Sequence, residues 1–288
     1  MAEAAALSKD NIATRHDSGS APIQVARGAA ISAVSRAMSV LEILSTQRGG
    51  LTVSEMVSAL QIEKSVVSRI LATLESSGHV TRDPKSNCYH VSLMFCGMAL
   101  QRIDSTGLIE MCMPSLNRLA EASDELTQLA LVEGQDLVYV AKADGSQRLR
   151  VLSLLGQRAP LHASSVGRVW LASLPIDQAL DLAVRAGMQA FTPRTITTVD
   201  RLRTELKRVR GQGYSLILDE FLPGANSIAV PIRHSKESEV CGAVLISGPS
   251  TRMTQQRLLS FLPDLQLAAM ELRDVGLVAA RFKSRPTE

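Results

Sequence analysis

Lys64, Ser65, Val66, Ser68 and Arg69 place two cations, two hydroxyls and one short apolar side chain within six residues. Such side chains suit contact with duplex DNA. Cations meet phosphates or guanine edges, hydroxyls bond phosphates or bases, and a small apolar group meets a thymine methyl. A second set offers different chemistry: His162, Ser164 and Ser165 with Asp219-Glu220 downstream are the residue types of a Ser/His/Asp hydrolase. No G-x-S-x-G elbow accompanies them, and serine at a helix start is a good N-cap. Catalysis is therefore not expected. His162 reads as a structural histidine, and Asp219-Glu220 as residues that hold the following Gly224 loop. His16, His79, His90 and His234 are dispersed, so no metal site is expected, and no cofactor is implied.

The helix that carries Lys64 to Arg69 has its own anchor. Val67, Ile70, Leu71 and Leu74 recur at i, i+3, i+4 and i+7, the stripe by which a helix is held to a core. Gly78 is expected to end it in the left-handed conformation. Just upstream, Thr52 and Glu55 form a T-x-x-E capping box, which starts a shorter helix with Met56, Val57 and Leu60 inward. Gln61-Ile62-Glu63 breaks the two apart. A further amphipathic helix carries Val34, Ala37, Met38, Val40, Leu41 and Leu44 and stops at Gly49-Gly50. After Gly78 the chain reads as strand (79–82), turn (83–87) and strand (88–91), and Pro-Lys-Ser-Asn is turn chemistry. Such a hairpin forms a wing and would bring Arg82 and Lys85 to a phosphate backbone. A winged helix that meets protein instead of DNA is the alternative.

Composition limits the rest. With 288 residues and a net charge of +3, two globular domains are expected, and no basic tail can carry nucleic-acid binding alone. Cys88, Cys96, Cys112 and Cys241 show no paired spacing, which suits a reducing cytoplasm. No apolar run reaches membrane-spanning length, and the start lacks the apolar core of a signal peptide. Residues 1 to about 30 are small, polar and aperiodic, and read as a disordered arm.

Beyond the wing, a helix from Leu93 to about Thr106 is interrupted by Gly107 and followed by another to near Ser123. Strands are expected over 127–132, 137–142 and 148–155. Helices follow over 166–174, 176–187 and 199–211, then strands over 214–218, 227–233 and 239–247. A long helix after Thr254 should bend near Pro263. The cations Arg201, Arg203, Lys207, Arg208 and Arg210 read as a solvated helix face. Strands and helices mixed around one sheet give an α+β class.

From about Ser32 to Val278 the chain resembles the isocitrate lyase regulator (IclR) type of bacterial transcription factor. In the first domain the likeness rests on SRAMSVLEIL, on LTVSEMVSALQIEKSVVSRILATLESSGHV and on the YHVS that closes the wing. In the second it rests on three separated stretches: 160–168, 213–220, and 224–232 with 246–249. The resemblance implies a winged helix-turn-helix domain (31–92), a linker helix (93–107) and a GAF-like α/β effector-binding domain (108–280), with a tail at 281–288. It implies dimerisation through the linker, as a homodimer or a dimer of dimers, and a pseudo-palindromic DNA operator. It also implies a small-molecule effector, an organic acid, met by Val151, Ser165, Val166, Ile217, Ser227, Leu245 and Ser247. Two departures matter. Val66 stands where the family usually has Thr, which alters which operator is read. Ile217 and Leu245 replace residues often polar in members that bind small oxoacids, and Ser227 replaces a frequent Cys. An effector with an apolar body and one anionic or hydroxyl end is the expectation.

Overall fold

A computed structural model describes residues 33–151, 155–235 and 239–277. The expected N-terminal arm and C-terminal tail lie outside the described residues. The division between two compact units falls between Ala99 and Leu100.

In the first unit, α1 (Ala33–Thr46), α2 (Val53–Leu60) and α3 (Lys64–Ser76) precede the strands β1 (Val80–Arg82) and β2 (Tyr89–Val91). The capping box forms as its spacing predicts. The Glu55 N–H donates to Thr52 Oγ1 at 3.3 Å, and the Thr52 N–H donates to Glu55 Oε2 at 2.8 Å. Gln61 ends α2 in the left-handed conformation (φ 54°), which reverses the chain within three residues. Val67 and Leu71 are fully buried with Val40, Leu41, Leu44, Met56, Val80 and Tyr89, while Ile70 and Leu74 pack on the edge of that core. Each such aliphatic side chain contributes about 1.5–3 kcal/mol by leaving water. β1 and β2 pair antiparallel, Arg82 opposite Tyr89. Leu51 adds a bridge to Tyr89 that extends the wing.

The helix α4 (Leu93–Asp104) follows with no buried residue, and Leu93, Met94, Met98 and Leu100 stand exposed on it. Then come α5 (Leu108–Ser123), β3 (Leu126–Glu133), β4 (Asp136–Ala143), α6 (Ser165–Ser173), α7 (Ile176–Arg185) and α8 (Val199–Gln212). The strands β5 (Ser215–Leu218), β6 (Ala225–Arg233) and β7 (Val240–Pro249) lead to α9 (Gln255–Ser260) and α10 (Leu262–Glu271). The sheet order is β4-β3-β7-β6-β5, antiparallel throughout. Strand alternation sends Leu129, Ile228, Val230, Val244 and Ile246 into a core with α5, α9 and α10. Ala130, Ala229, Ala243 and Leu245 point the other way, under α6, α7 and α8. Helices thus cover both faces of a GAF-like sheet.

Two expectations need correction. The strand placed at 148–155 is absent over 148–151 and at Leu155, while 152–154 lie outside the described residues. Arg148, Leu149 and Arg150 are all exposed, and the Leu149 carbonyl accepts from Arg252 at 2.7 Å instead of joining a ladder. The edge of β4 is satisfied further on. There the Gly156 N–H reaches the Tyr139 carbonyl at 2.8 Å and the Ala159 N–H reaches Leu137 at 2.7 Å. The long final helix is two, broken at Phe261, with Pro263 in the first turn of α10, where a missing N–H costs nothing.

Candidate functional site

On α3 the structure leaves Lys64, Ser65, Ser68 and Arg69 exposed on the side away from Val67 and Leu71. Val66 is half-buried and lines a cleft of about 400 Å³ with Arg36, Ile62 and Glu63. In the wing, the Arg82 guanidinium donates to Asn87 Oδ1 at 2.7 Å and lies 5.5 Å from the Tyr89 ring centre. Its position is therefore set before any partner arrives. Lys85 is exposed in the turn, where its N–H is held by Asp83 at 3.0 Å.

In the second unit, five of the seven expected effector positions converge. Ser165, Ser227, Ser247, Leu245 and Val151 line one small pocket between the start of α6 and the sheet. The register explains the meeting. Ser227 faces Ser247, and Leu245 faces Gln128 across β7 and β3, so all four point to one side. Ser227 Oγ donates to Ser165 Oγ at 3.0 Å. Val166 is fully buried in the helical core and Ile217 is buried beside Ser227 in the register, and neither lines the pocket. Gln128, Tyr139, Ser164, Phe221 and Leu222 do, and sequence reasoning missed them. For Gln128 a signal existed, since an amide amid the apolar run of β3 must be justified by what it meets. Burial pushes the Tyr139 phenol above its ordinary range, against a weaker opposing hydrogen bond with Ser164.

His162, Ser164, Ser165, Asp219 and Glu220 do not assemble into a hydrolase triad. Ser164 caps α6, accepting from the Gly167 N–H at 3.0 Å. His162 Nε2 lies 2.9 Å from the Gln189 carbonyl, which it can satisfy only as a donor. Asp219 Oδ1 accepts from the Gly224 N–H at 2.8 Å, as expected of a loop-holding residue. Glu220 holds the same loop by another means. It forms a bidentate pair with Arg168, whose side chain is only 1% exposed. The basic face of α8 is also only partly solvated, because Arg210 Nε donates to the Ala172 carbonyl at 2.7 Å and ties α8 to the end of α6.

Burial pushes the His162 imidazole below its ordinary range, with the Gln189 hydrogen bond acting in the opposite direction. Below about pH 6.5 the unfolded chain then binds more protons at this residue than the folded chain does. The stability it contributes is complete above that pH and is lost as pH falls through the depressed folded value. Thermal melts between pH 8 and pH 5 should show a falling limb below pH 6.5 that flattens in His162→Gln. An unchanged limb would assign the effect to other groups.

These two sites sit in matched domains. The IclR helix-turn-helix domain matches residues 33–84, and the bacterial transcriptional regulator IclR C-terminal domain matches residues 100–273. The chain belongs to the IclR family: it is a DNA-binding transcriptional regulator with a C-terminal effector-binding domain, and not an enzyme. It is 32% identical over 237 residues to the "Probable transcriptional regulator SauR" of Cupriavidus necator, covering 82% of this chain and 94% of the relative. The IclR of Thermotoga maritima shares the fold, with a TM-score of 0.65 at 24% identity, covering 84% of this chain and 98% of that one. The inducer-binding domain of PobR from Acinetobacter, solved as a double mutant with 3-hydroxybenzoic acid, is 27% identical with a TM-score of 0.52, covering 57% of this chain and 96% of that one. Among the described residues, no helix is long and apolar enough to cross a membrane.

Proposed function

We propose that this regulator controls a catabolic operon in the bacterial cytoplasm and responds to a carboxylic acid with an aromatic or otherwise apolar body. One observation carries the reading. The pocket sets the hydroxyls of Ser165, Ser227 and Ser247 at the start of α6 against an apolar wall of Val151, Leu245, Phe221 and Leu222. The first N–H groups of a helix lack intrahelical partners and favour an anion. The hydroxyls add donors, and the wall rewards an apolar body by about 25 cal/mol per Å² buried. The 3-hydroxybenzoic acid bound by the PobR domain is an acid of this class. As a homodimer or dimer of dimers, the chain reads a pseudo-palindromic operator through Lys64, Ser65, Val66, Ser68 and Arg69, with Arg82 and Lys85 on the flanking phosphates.

Calorimetry on the full chain tests the effector class. Benzoate and hydroxybenzoates should raise the melting temperature more than pyruvate or glyoxylate at equal concentration, and Ser227→Ala should weaken that response. If the smallest oxoacids bind best, the apolar wall does not select the effector. A gel shift with the upstream region of the protein's own gene, titrated with salt, tests the operator half, because phosphate neutralisation makes binding fall steeply as salt rises.

A further inference from the structure

The pocket is too small for the ligand class just proposed. Its volume is about 30 Å³, room for a water or two, whereas small-molecule sites span roughly 300–1,000 Å³. One wall must retreat, and the walls differ in how they are held. The floor is β3, β6 and β7, joined by continuous backbone ladders. The α6 side is rigid, since every residue from Ser165 to Ala172 is buried. The Val151 side is anchored at Leu149, held by Arg252, which pairs with the buried Glu125 at 2.7 Å.

The remaining wall is the loop from Asp219 to Gly224, which turns Phe221 and Leu222 into the pocket. It begins and ends on left-handed residues, Asp219 at φ 57° and Gly224 at φ 75°. Beyond the Asp219 N–H, which donates to the Ala225 carbonyl at 3.2 Å, side chains hold its first half. Thr192 Oγ1 donates to the Asp219 carbonyl at 2.7 Å, and Thr195 Oγ1 to the Glu220 carbonyl at 2.5 Å. Phe221 meets Phe191 edge-on at 4.9 Å. The strongest tie is Glu220 to Arg168, whose Nε also donates to the His162 carbonyl at 2.7 Å. Arg168 thereby joins the turn before α6 to the loop over the pocket.

We propose that the Arg168–Glu220 pair is a latch on the 219–224 loop, and that Phe221 and Leu222, seated by it, set the size of acid the pocket admits. Glu220 is a positioning residue, and Leu222 determines specificity. This rests on the effector class proposed above. Releasing the latch should let the loop swing outward on its two left-handed ends while the hydroxyl side of the pocket stays in place. Glu205, 3.6 Å from Arg168, remains to accompany the buried cation, so Glu220→Gln removes the latch without leaving a lone charge.

The test uses the full chain with benzoate and the larger 2-naphthoate as probes, read by calorimetry and by fluorescence of Trp170 on α6, the single tryptophan. Glu220→Gln and Leu222→Ala should each raise the ratio of naphthoate to benzoate affinity by about tenfold, a difference of about 1.4 kcal/mol. Glu220→Asp should fall between parent and Gln. Equal changes for both acids would reduce Glu220 to a structural role and overturn the proposal. Hydrogen exchange supplies a readout that needs no ligand. The amides of Gly224 and Ala225, which donate to Asp219 Oδ1 and to the Leu222 carbonyl, should exchange at least tenfold faster in Glu220→Gln and in Thr195→Val, with the β6–β7 ladder unchanged. If the parent binds neither acid, the effector class fails by itself. Unchanged exchange in both variants would overturn the latch whatever binds.

Discussion

Val67→Asp is expected to unfold the winged-helix unit and abolish operator binding, while Arg69→Ala abolishes little but the contact it makes. Val67 has no exposed surface and sits among Val40, Leu44, Met56 and Leu71. A carboxyl placed there finds no basic partner in the cluster, and an unpaired polar group in such a site costs about 2–7 kcal/mol even when it takes up a proton. Whole domains are stable by only about 5–15 kcal/mol, so one substitution can exhaust a unit this small. Arg69, two residues on, is exposed and enters no core cluster. Its loss should weaken operator binding by roughly 1–3 kcal/mol, lower the salt slope by about one, and leave melting unchanged. Scanning calorimetry with a gel shift separates the two outcomes. Operator binding by Arg69→Ala equal to that of the parent would remove α3 from its assigned role.

Gly167→Ala and Gly211→Ala are the same substitution inside a helix, and their effects should have opposite signs. A Cβ at Gly167 would lie 2.5 Å from the Leu161 carbonyl oxygen and 2.6 Å from its Cα. Those are backbone atoms that cannot swing aside, and α6 is buried along eight successive residues, so it cannot slide away cheaply. Overpacking of this kind costs typically about 1–3 kcal/mol, more than the roughly 0.5–1 kcal/mol that alanine gains over glycine in a helix. Because the clash lies at the start of α6, between Ser164 and Ser165 on one side and Leu161 on the other, effector affinity should fall with stability. Gly211, near the end of α8, has nothing within 4 Å of its added Cβ. There only the helix preference remains, and the variant should gain about 0.5–1 kcal/mol. Denaturant melts of the full chain with and without benzoate measure both. A stabilised Gly167→Ala would mean that the Leu161 turn is softer than its packing indicates.

Local patterns made the first unit legible. The T-x-x-E box, the stripe through Val67 and Leu71 and the wing's turn residues all act over four or five positions, and each formed where its spacing placed it. The sheet was legible for a similar reason, as β3, β6 and β7, covered on both faces, read as short apolar runs bounded by turn residues, and β4 alternates. What escaped depends on distant partners. Arg168 looks like any helix cation in sequence, and its burial depends on partners far downstream, Glu205 and above all Glu220. Phe221 and Leu222 sit on a loop with no period to betray an inward side. At 148–155 the leucine-rich run suggested a strand, but the Leu149 carbonyl is taken by Arg252, and Gly156 and Ala159 took the sheet edge instead.

The alternation of β7 has a consequence for how this chain can diverge. Val244 and Ile246 fill one core, while Leu245 and Ser247, interleaved with them, face the pocket on the other side. A one-residue insertion or deletion in this strand would exchange the two sets, placing a serine in the core and an isoleucine in the binding site at once. New effector ranges can therefore arise on β7 only by substitution. The 219–224 loop has no such two-sided bookkeeping, and changes in its length alter the roof without touching the floor. Lineages that acquire new ligands should carry their gaps in that loop and their point changes on the strand.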